Sequence, residues 1–175
     1  VRITPIEKGE GHFAARLRRK SENNNYPEPY ITPIKNSKNS DLYKSVQKML
    51  DDIFVKVPSG KIVIINDKAF IIPENLPDIN GLGVIRAGVF AGEFKKNRIE
   101  PQHALFMSSK PENIKRVLDL KPDDNRLVDF LRGLEIDCDG ENGYTAVSLD
   151  GIVTGFGKCS NGRLKNKYPK GLRIL

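Results

Sequence analysis

The side chains of this chain best suited to covalent or metal chemistry are two cysteines, Cys138 and Cys159, and two histidines, His12 and His103. Cys138 stands between Asp137 and Asp139, whose negative charges raise a thiol pKa. Cys159 follows Lys158 and is electrostatically better placed, but a stand-alone enzyme built on it would need an activating base that no neighbour supplies. A small side chain near a strand end is the simpler reading of it. The cysteines lack the CxxC spacing of a zinc site and are too few for a disulfide framework. Gly9-Glu10-Gly11, Gly81-Leu82-Gly83 and Gly155-Phe156-Gly157 are too short for phosphate or dinucleotide loops. The pairs Asp51-Asp52 and Asp123-Asp124 are adjacent residues that point apart on a helix, and helix capping explains the second. Residue by residue, the chain therefore offers no catalytic residue, no metal site and no cofactor site.

Binding chemistry is better represented. The 175 residues carry 29 Lys plus Arg against 22 Asp plus Glu, a formal charge of +7, and the excess is concentrated. Gly151 to Leu175 holds Lys158, Arg163, Lys165, Lys167, Lys170 and Arg173 with no acid. Arg86, Lys95, Lys96 and Arg98 form a second basic segment around Glu93, and Arg2, Lys8, Arg16, Arg18, Arg19 and Lys20 a third. Between the first two, Pro111 to Asp150 has five basic and ten acidic residues. Basic segments separated in this way can converge on one surface in the fold, where Lys and Arg neutralise phosphates and release counterions. Tyr168 lies among the C-terminal cations, and an aromatic ring amid phosphate contacts is the combination used on looped RNA. Composition alone leaves a solvated basic tail, with Tyr168 packed on the core, as an equal alternative.

The elements that must position these residues follow from pattern. Pro27, Pro29 and Pro33 in the Asn-rich stretch 21–39 exclude a regular helix and predict a linker. Ser40 or Asp41 can cap a helix whose apolar face is Leu42, Val46, Met49, Leu50, Ile53 and Phe54. The runs 61–66 and 69–72 flank Asp67-Lys68 as a hairpin, and 82–94 is extended but interrupted by glycines. A short helix is predicted over 101–107, started by Pro101, and another after Pro122, stopped by Gly133. Strands flank two tight turns, Asp150-Gly151 and Asn161-Gly162. The result is an α+β chain with a small barrel-like or Greek-key sheet at its C-terminus. Its apolar runs are far shorter than the roughly 20 residues that span a bilayer, and the N-terminus lacks a signal-peptide layout, so a cytoplasmic location is expected.

Five groups of residues occur together in one order: RITPIEKGEGHF (2–13), IRAGVFAGEFKK (85–96), IEPQHAL (99–105), FLRG (130–133), and GFGK (155–158) followed by LKNKYPKGLR (164–173). In this order they resemble the C-terminal region of the RsmF branch of the Nol/Nop/Sun RNA cytosine-C5 methyltransferases. The resemblance implies four parts: residues 1–20 as the end of an S-adenosylmethionine-dependent catalytic domain cut off from the rest, 21–39 as a linker, 40–110 as a first C-terminal module, and 111–175 as a PUA-like RNA-binding β-barrel with short helices. The family's Pro-Cys and Thr-Cys catalytic motifs are absent, because the cysteines here occur as Asp137-Cys138 and Lys158-Cys159. S-adenosylmethionine would belong to the parent protein and not to this part of it. Ribosomal RNA and the catalytic domain of the same chain are the implied partners, with no membrane and no metal. The residues expected at RNA are Lys158, Arg163, Lys165, Lys167, Tyr168, Lys170 and Arg173, with Arg86, Lys95, Lys96 and Arg98 as a second patch. The alternative is a module that docks on the catalytic domain without touching RNA.

Overall fold

Leu42, Val46, Met49, Leu50 and Ile53 recur at helical spacing, and they form the inner face of helix α1 (Ser40–Ile53). The computed structural model of the protein describes residues 2, 3, 12, 13, 40–74, 76, 88–96 and 98–174. The chain divides into two units, Val1–Tyr30 and Ile31–Leu175. In the first, strands β1 (Arg2–Ile3) and β2 (His12–Phe13) pair antiparallel. The expected linker 21–39 and the start of the extended run 82–94 lie outside the described residues.

In the second unit, α1 shares a core with a four-stranded antiparallel sheet of β3 (Lys61–Ile65), β4 (Lys68–Ile72), β5 (Val89–Lys95) and β6 (Arg98–Pro101), in that order. The β3–β4 turn is one residue earlier than expected. Asn66 (φ 46°) and Asp67 (φ 60°) form it, and Lys68 pairs with Ile65. A two-residue hairpin turn of this kind needs positive φ at both central positions, which Asn and Asp tolerate better than Lys. Pro101 likewise does not start a helix. It ends the edge strand β6 opposite Gly92, where its missing N–H costs no ladder bond, and α2 (His103–Met107) begins after Gln102.

The rest of the unit is one curled half-barrel sheet of five strands, ordered β7 (Val117–Leu120), β9 (Gly143–Leu149), β10 (Ile152–Ser160), β11 (Arg163–Asn166) and β8 (Ile136–Asp137). β7 runs parallel to β9 and the other pairs are antiparallel. Both tight turns form as expected, with positive φ at Asp150, Gly151, Asn161 and Gly162. Helix α3 (Asn125–Arg132) packs on this sheet through Phe130. The Asp124 carboxylate accepts from the Arg126 N–H at its start, and Gly133 ends it in the left-handed region at φ 86°. The fold is thus α+β.

The five-stranded sheet has a core on each side. Phe156 and Ala146 face the core of α1 and the four-stranded sheet, while Val147, Cys159 and Leu164 pack with Leu120 and Phe130 on the other side. Phe106 of α2 stacks on Phe156 with ring centroids 4.2 Å apart and planes 10° from parallel, so the two halves meet in a shared apolar interior. Polar contacts follow the same seam. Lys115 Nζ donates to the Asp51 carbonyl at 2.6 Å, and Arg116 Nη2 to the Asp52 carbonyl and carboxylate at 2.9 and 2.8 Å. Arg116 Nε also reaches the Tyr144 carbonyl on β9 at 3.1 Å. The last turn of α1 has no basic residue of its own, so these two cations complement its negative dipole end from far along the chain.

Cys138 and Cys159, too few in number to suggest a disulfide framework, form a disulfide inside the second core. Cys138 lies just past β8, and its N–H donates to the Gly162 carbonyl, which brings it beside β10. The sequence separation hid a neighbour relation that the β10–β11 turn creates. With Cys159 1% exposed and bonded, no nucleophile exists there.

A second anchor fixes the β9–β10 hairpin. The Asp119 carboxylate accepts from the Ser148 hydroxyl at 2.6 Å, the Gly151 N–H at 2.9 Å and Lys121 Nζ at 3.2 Å. These bonds, the Ser148 hydroxyl first, bring its pKa down from 3.8 to about 2. Because the folded value lies below the unfolded one, this contribution to stability is present above the ordinary aspartate pKa and is lost as pH falls through the folded value. Asp119→Asn should therefore lower the urea midpoint near neutral pH, with the gap to wild type closing as pH approaches about 2. Phe156→Ala should cost about 3–5 kcal/mol and still give one unfolding transition when followed by probes in both halves. Separate transitions in the wild-type chain would contradict a shared core.

Candidate nucleic-acid interface

Alternation along β10 and β11 decides which cations reach the surface. Cys159 and Leu164 point into the second core, so Lys158 and Lys165, their neighbours, project from the opposite face. The Asn161-Gly162 turn sets the register that places these two lysines directly across from each other. Like charges in that position destabilise a sheet pair. On its other side Lys158 pairs with Tyr144 of β9, and its Nζ lies 5.7 Å from the centroid of that ring. A bulge between Val153 and Gly155 produces this pairing, since an unbroken register from the Asp150-Gly151 turn would put Gly143 opposite Lys158.

Tyr144 connects this face to the second basic segment. Burial raises its phenol pKa, the Glu100 carboxylate raises it further, and Arg98 opposes them. Glu100, on β6, is the centre of the second segment. Its Oε1 is 2.5 Å from Arg98 Nη2 and its Oε2 is 3.3 Å from Lys95 Nζ. The Glu100 side chain is 14% exposed. Burial alone would raise its pKa, but the hydrogen bonds from Arg98 and Lys95 and the field of Lys167 outweigh this and hold it below its ordinary value. Glu100 thus binds Lys95 and Arg98 and feels the field of Lys167, while Lys158, directly across from Lys165, lies over Tyr144; the sequence alone points to neither Glu100 nor Tyr144. Lys96 is exposed in the β5–β6 turn at φ 54°. Arg86 lies outside the described residues.

The remaining expected residues take other positions. Arg163 Nη1 is 2.5 Å from the Asp137 carboxylate and Nη2 donates to the Glu135 carbonyl, which ties it to the β8 region. Tyr168 is half-buried, with its ring 5.4 Å from Phe130 and edge-on to His103 at 5.8 Å. Arg173 lays its guanidinium against Gly133, where any Cβ would collide with it, and donates to the Tyr168 carbonyl at 3.3 Å. Lys170 is exposed on the 3-10 turn Lys170–Leu172. The C-terminal segment is thus an anchored strap. Asn166 Nδ2 fastens it to the Phe130 and Leu134 carbonyls, and the Ile174 N–H to the Leu131 carbonyl. Lys158, Lys165, Lys167 and Lys170 project from it and from the sheet it crosses.

Among the described residues, no group of His, Cys, Asp and Glu could hold a metal ion, and no helix is long and apolar enough to cross a membrane. Among the described residues, a cavity of about 550 Å³ is lined by residues that include Lys56, Lys110, Ser59, Ser108 and Asn113, and by no carboxylate.

Comparison with known proteins identifies the family. The family model described as the RsmF rRNA methyltransferase first C-terminal domain matches residues 47–108, and the one described as the methyltransferase RsmF PUA domain matches 117–174. Two similar curated proteins are the ribosomal RNA small subunit methyltransferases F of Vibrio campbellii (strain ATCC BAA-1116) and Vibrio atlanticus (strain LGP32). They are each 25% identical over 181 and 173 aligned residues. Each alignment covers 93% of this chain and 36% of the relative, so the chain spans about a third of the length of these proteins. With both modules matched in the family's order, the chain belongs to the RsmF family of ribosomal RNA methyltransferases and represents its C-terminal region.

Proposed function

We propose that this chain binds structured ribosomal RNA and holds it so that a cytosine reaches an S-adenosylmethionine-dependent catalytic domain of the RsmF type. The supporting observation is that Lys95 and Arg98 from one half and Lys167 from the other act on Glu100, while Lys158, across from Lys165, lies over the Tyr144 ring, which itself feels the charges of Glu100 and Arg98. A broad cationic surface is suited to grip and position a polyanion. Phosphates meeting these lysines would displace counterions, and binding would weaken linearly in log salt. Lys96 at its hairpin tip and Lys170 on the strap extend the surface at its two ends. Arg163 contributes through its exposed guanidinium edge. Tyr168 and Arg173 act by holding the strap that carries Lys167 and Lys170, and Tyr144 supplies an aromatic ring at the centre. Methyl transfer itself is assigned to the catalytic domain, so no chemical step is attributed to the described residues.

Charge reversal at Lys165 and Lys170 should weaken binding to a small-subunit ribosomal RNA stem-loop and lower the salt slope by about one unit for each phosphate that is no longer neutralised. Unchanged affinity and slope would favour the docking alternative. Lys165→Gln should move two readouts in opposite directions. Relief of the repulsion with Lys158 should raise the stability measured by urea unfolding by a few tenths of a kcal/mol, at the low end of cross-strand pair energies of roughly 0.2–1 kcal/mol, while RNA affinity falls. A drop in both would show that Lys165 serves the fold.

A further inference from the structure

A carboxylate at the centre of a phosphate-binding surface opposes the purpose of that surface, and Glu100 is such a group. Its negative charge repels any phosphate that approaches Lys95, Arg98 or Lys167, and it takes up part of the charge of the first two. Mere support of the hairpin does not account for it well, because Lys95 already has Glu93 within 3.8 Å. An ionised carboxylate offers about four acceptor positions, of which Arg98 and Lys95 occupy one each. The side chain is recessed but not sealed, and cations lie beside it on both sides of the seam. What can approach is a hydrogen-bond donor that carries no charge and is flanked by phosphates. In nucleic acid the ribose 2′-hydroxyl meets this description, since it lies between successive phosphates of the backbone and is what separates RNA from DNA.

On the reading that this face binds RNA, we propose that Glu100 is the residue that makes it selective for ribose, by accepting a hydrogen bond from a 2′-hydroxyl while the surrounding lysines and Arg98 take the neighbouring phosphates. In this arrangement the carboxylate acts in two ways. It rewards a chain that brings a donor and repels one that offers only phosphates, so discrimination comes from a missing attraction and a retained repulsion together. The Tyr144 phenol lies within the electrostatic reach of Glu100.

The test compares three probes of one sequence: a small-subunit ribosomal RNA stem-loop, the same stem-loop with 2′-O-methyl groups, and its DNA counterpart. The methylated probe keeps the RNA helix form but lacks the donor, so it separates hydroxyl recognition from recognition of shape. The wild-type chain should bind the unmodified RNA about tenfold more tightly than the methylated one, the discrimination expected of one hydrogen bond to a charged group. In Glu100→Ala that ratio should fall toward one, mainly because the methylated RNA and the DNA bind more tightly once the repulsion is gone. Glu100→Gln, which keeps the shape and one acceptor oxygen, should show a reduced ratio and guards against misfolding of the alanine variant.

A wild-type chain that binds RNA in a salt-dependent way with equal affinity for both RNA forms would overturn this inference and leave the RNA-binding reading intact. So would a wild-type ratio that both variants retain, or a preference that follows base sequence and ignores methylation. Absence of salt-dependent RNA binding altogether would overturn the underlying reading, and this one with it.

Discussion

The stack of Phe106 on Phe156 is the contact on which the rest of this structure depends. It brings α2, which follows the four-stranded sheet, against the middle strand of the five-stranded sheet, so neither half completes its core alone. Apolar burial of this kind is non-directional and would allow the halves to rotate on each other. The polar seam restricts that freedom, with Lys115 and Arg116 on the end of α1 and the Phe54–Ile114 bridge beside them. The consequence at the surface is geometric. Lys95 and Arg98 are held in a constant relation to Lys158, Lys165 and Lys167, although more than 50 residues of chain separate the two groups.

Electrostatic compensation inside the second half leaves this face cationic. The segment 111–150 is acidic overall, yet several of its carboxylates are tied to cations in their own region. Asp124 is bound by Arg126, Asp119 and Asp150 by Lys121, and Asp137 by Arg163. Most of these pairs are exposed and contribute little to stability. Their effect is to place negative charge beside α3 and the β9–β10 hairpin. Lys158 and Lys165, by contrast, face each other across a strand pair, with the Tyr144 ring beside Lys158. A sheet chosen for stability alone would not repeat that charge, and this local cost is the physical reason to connect the face with a polyanion.

How much could be read from residues alone varied with the range of the interaction. The face of α1, the turns at Asp150-Gly151 and Asn161-Gly162, and the cap and stop of α3 are short-range features, and all were legible. The Asn161-Gly162 turn even implies that Lys158 opposes Lys165. Tyr144 was hidden by a bulge that shifts the β9–β10 register by one residue, and Glu100 by its place on a short edge strand read as the approach to a helix. Strands β7 and β8 have four and two residues and form only because β9 and β11 offer them edges. The disulfide is of the same kind, because Cys138 and Cys159 become neighbours only after the β10–β11 turn is made. The C-terminal basic residues do not share one environment. Arg173 and Tyr168 pack inward through partners at Gly133, Phe130 and His103 that no local pattern reveals.

The central claim is that one surface is built from both halves. It is tested most directly by titrating the isotopically labelled chain with a small-subunit ribosomal RNA stem-loop and following its backbone amide resonances. The account predicts that amides of 92–98 and of 158–167 shift together, with a common midpoint, while those around Asp119 and α3 stay in place. Shifts confined to one of the two segments, or two segments that respond at different RNA concentrations, would contradict a composite interface.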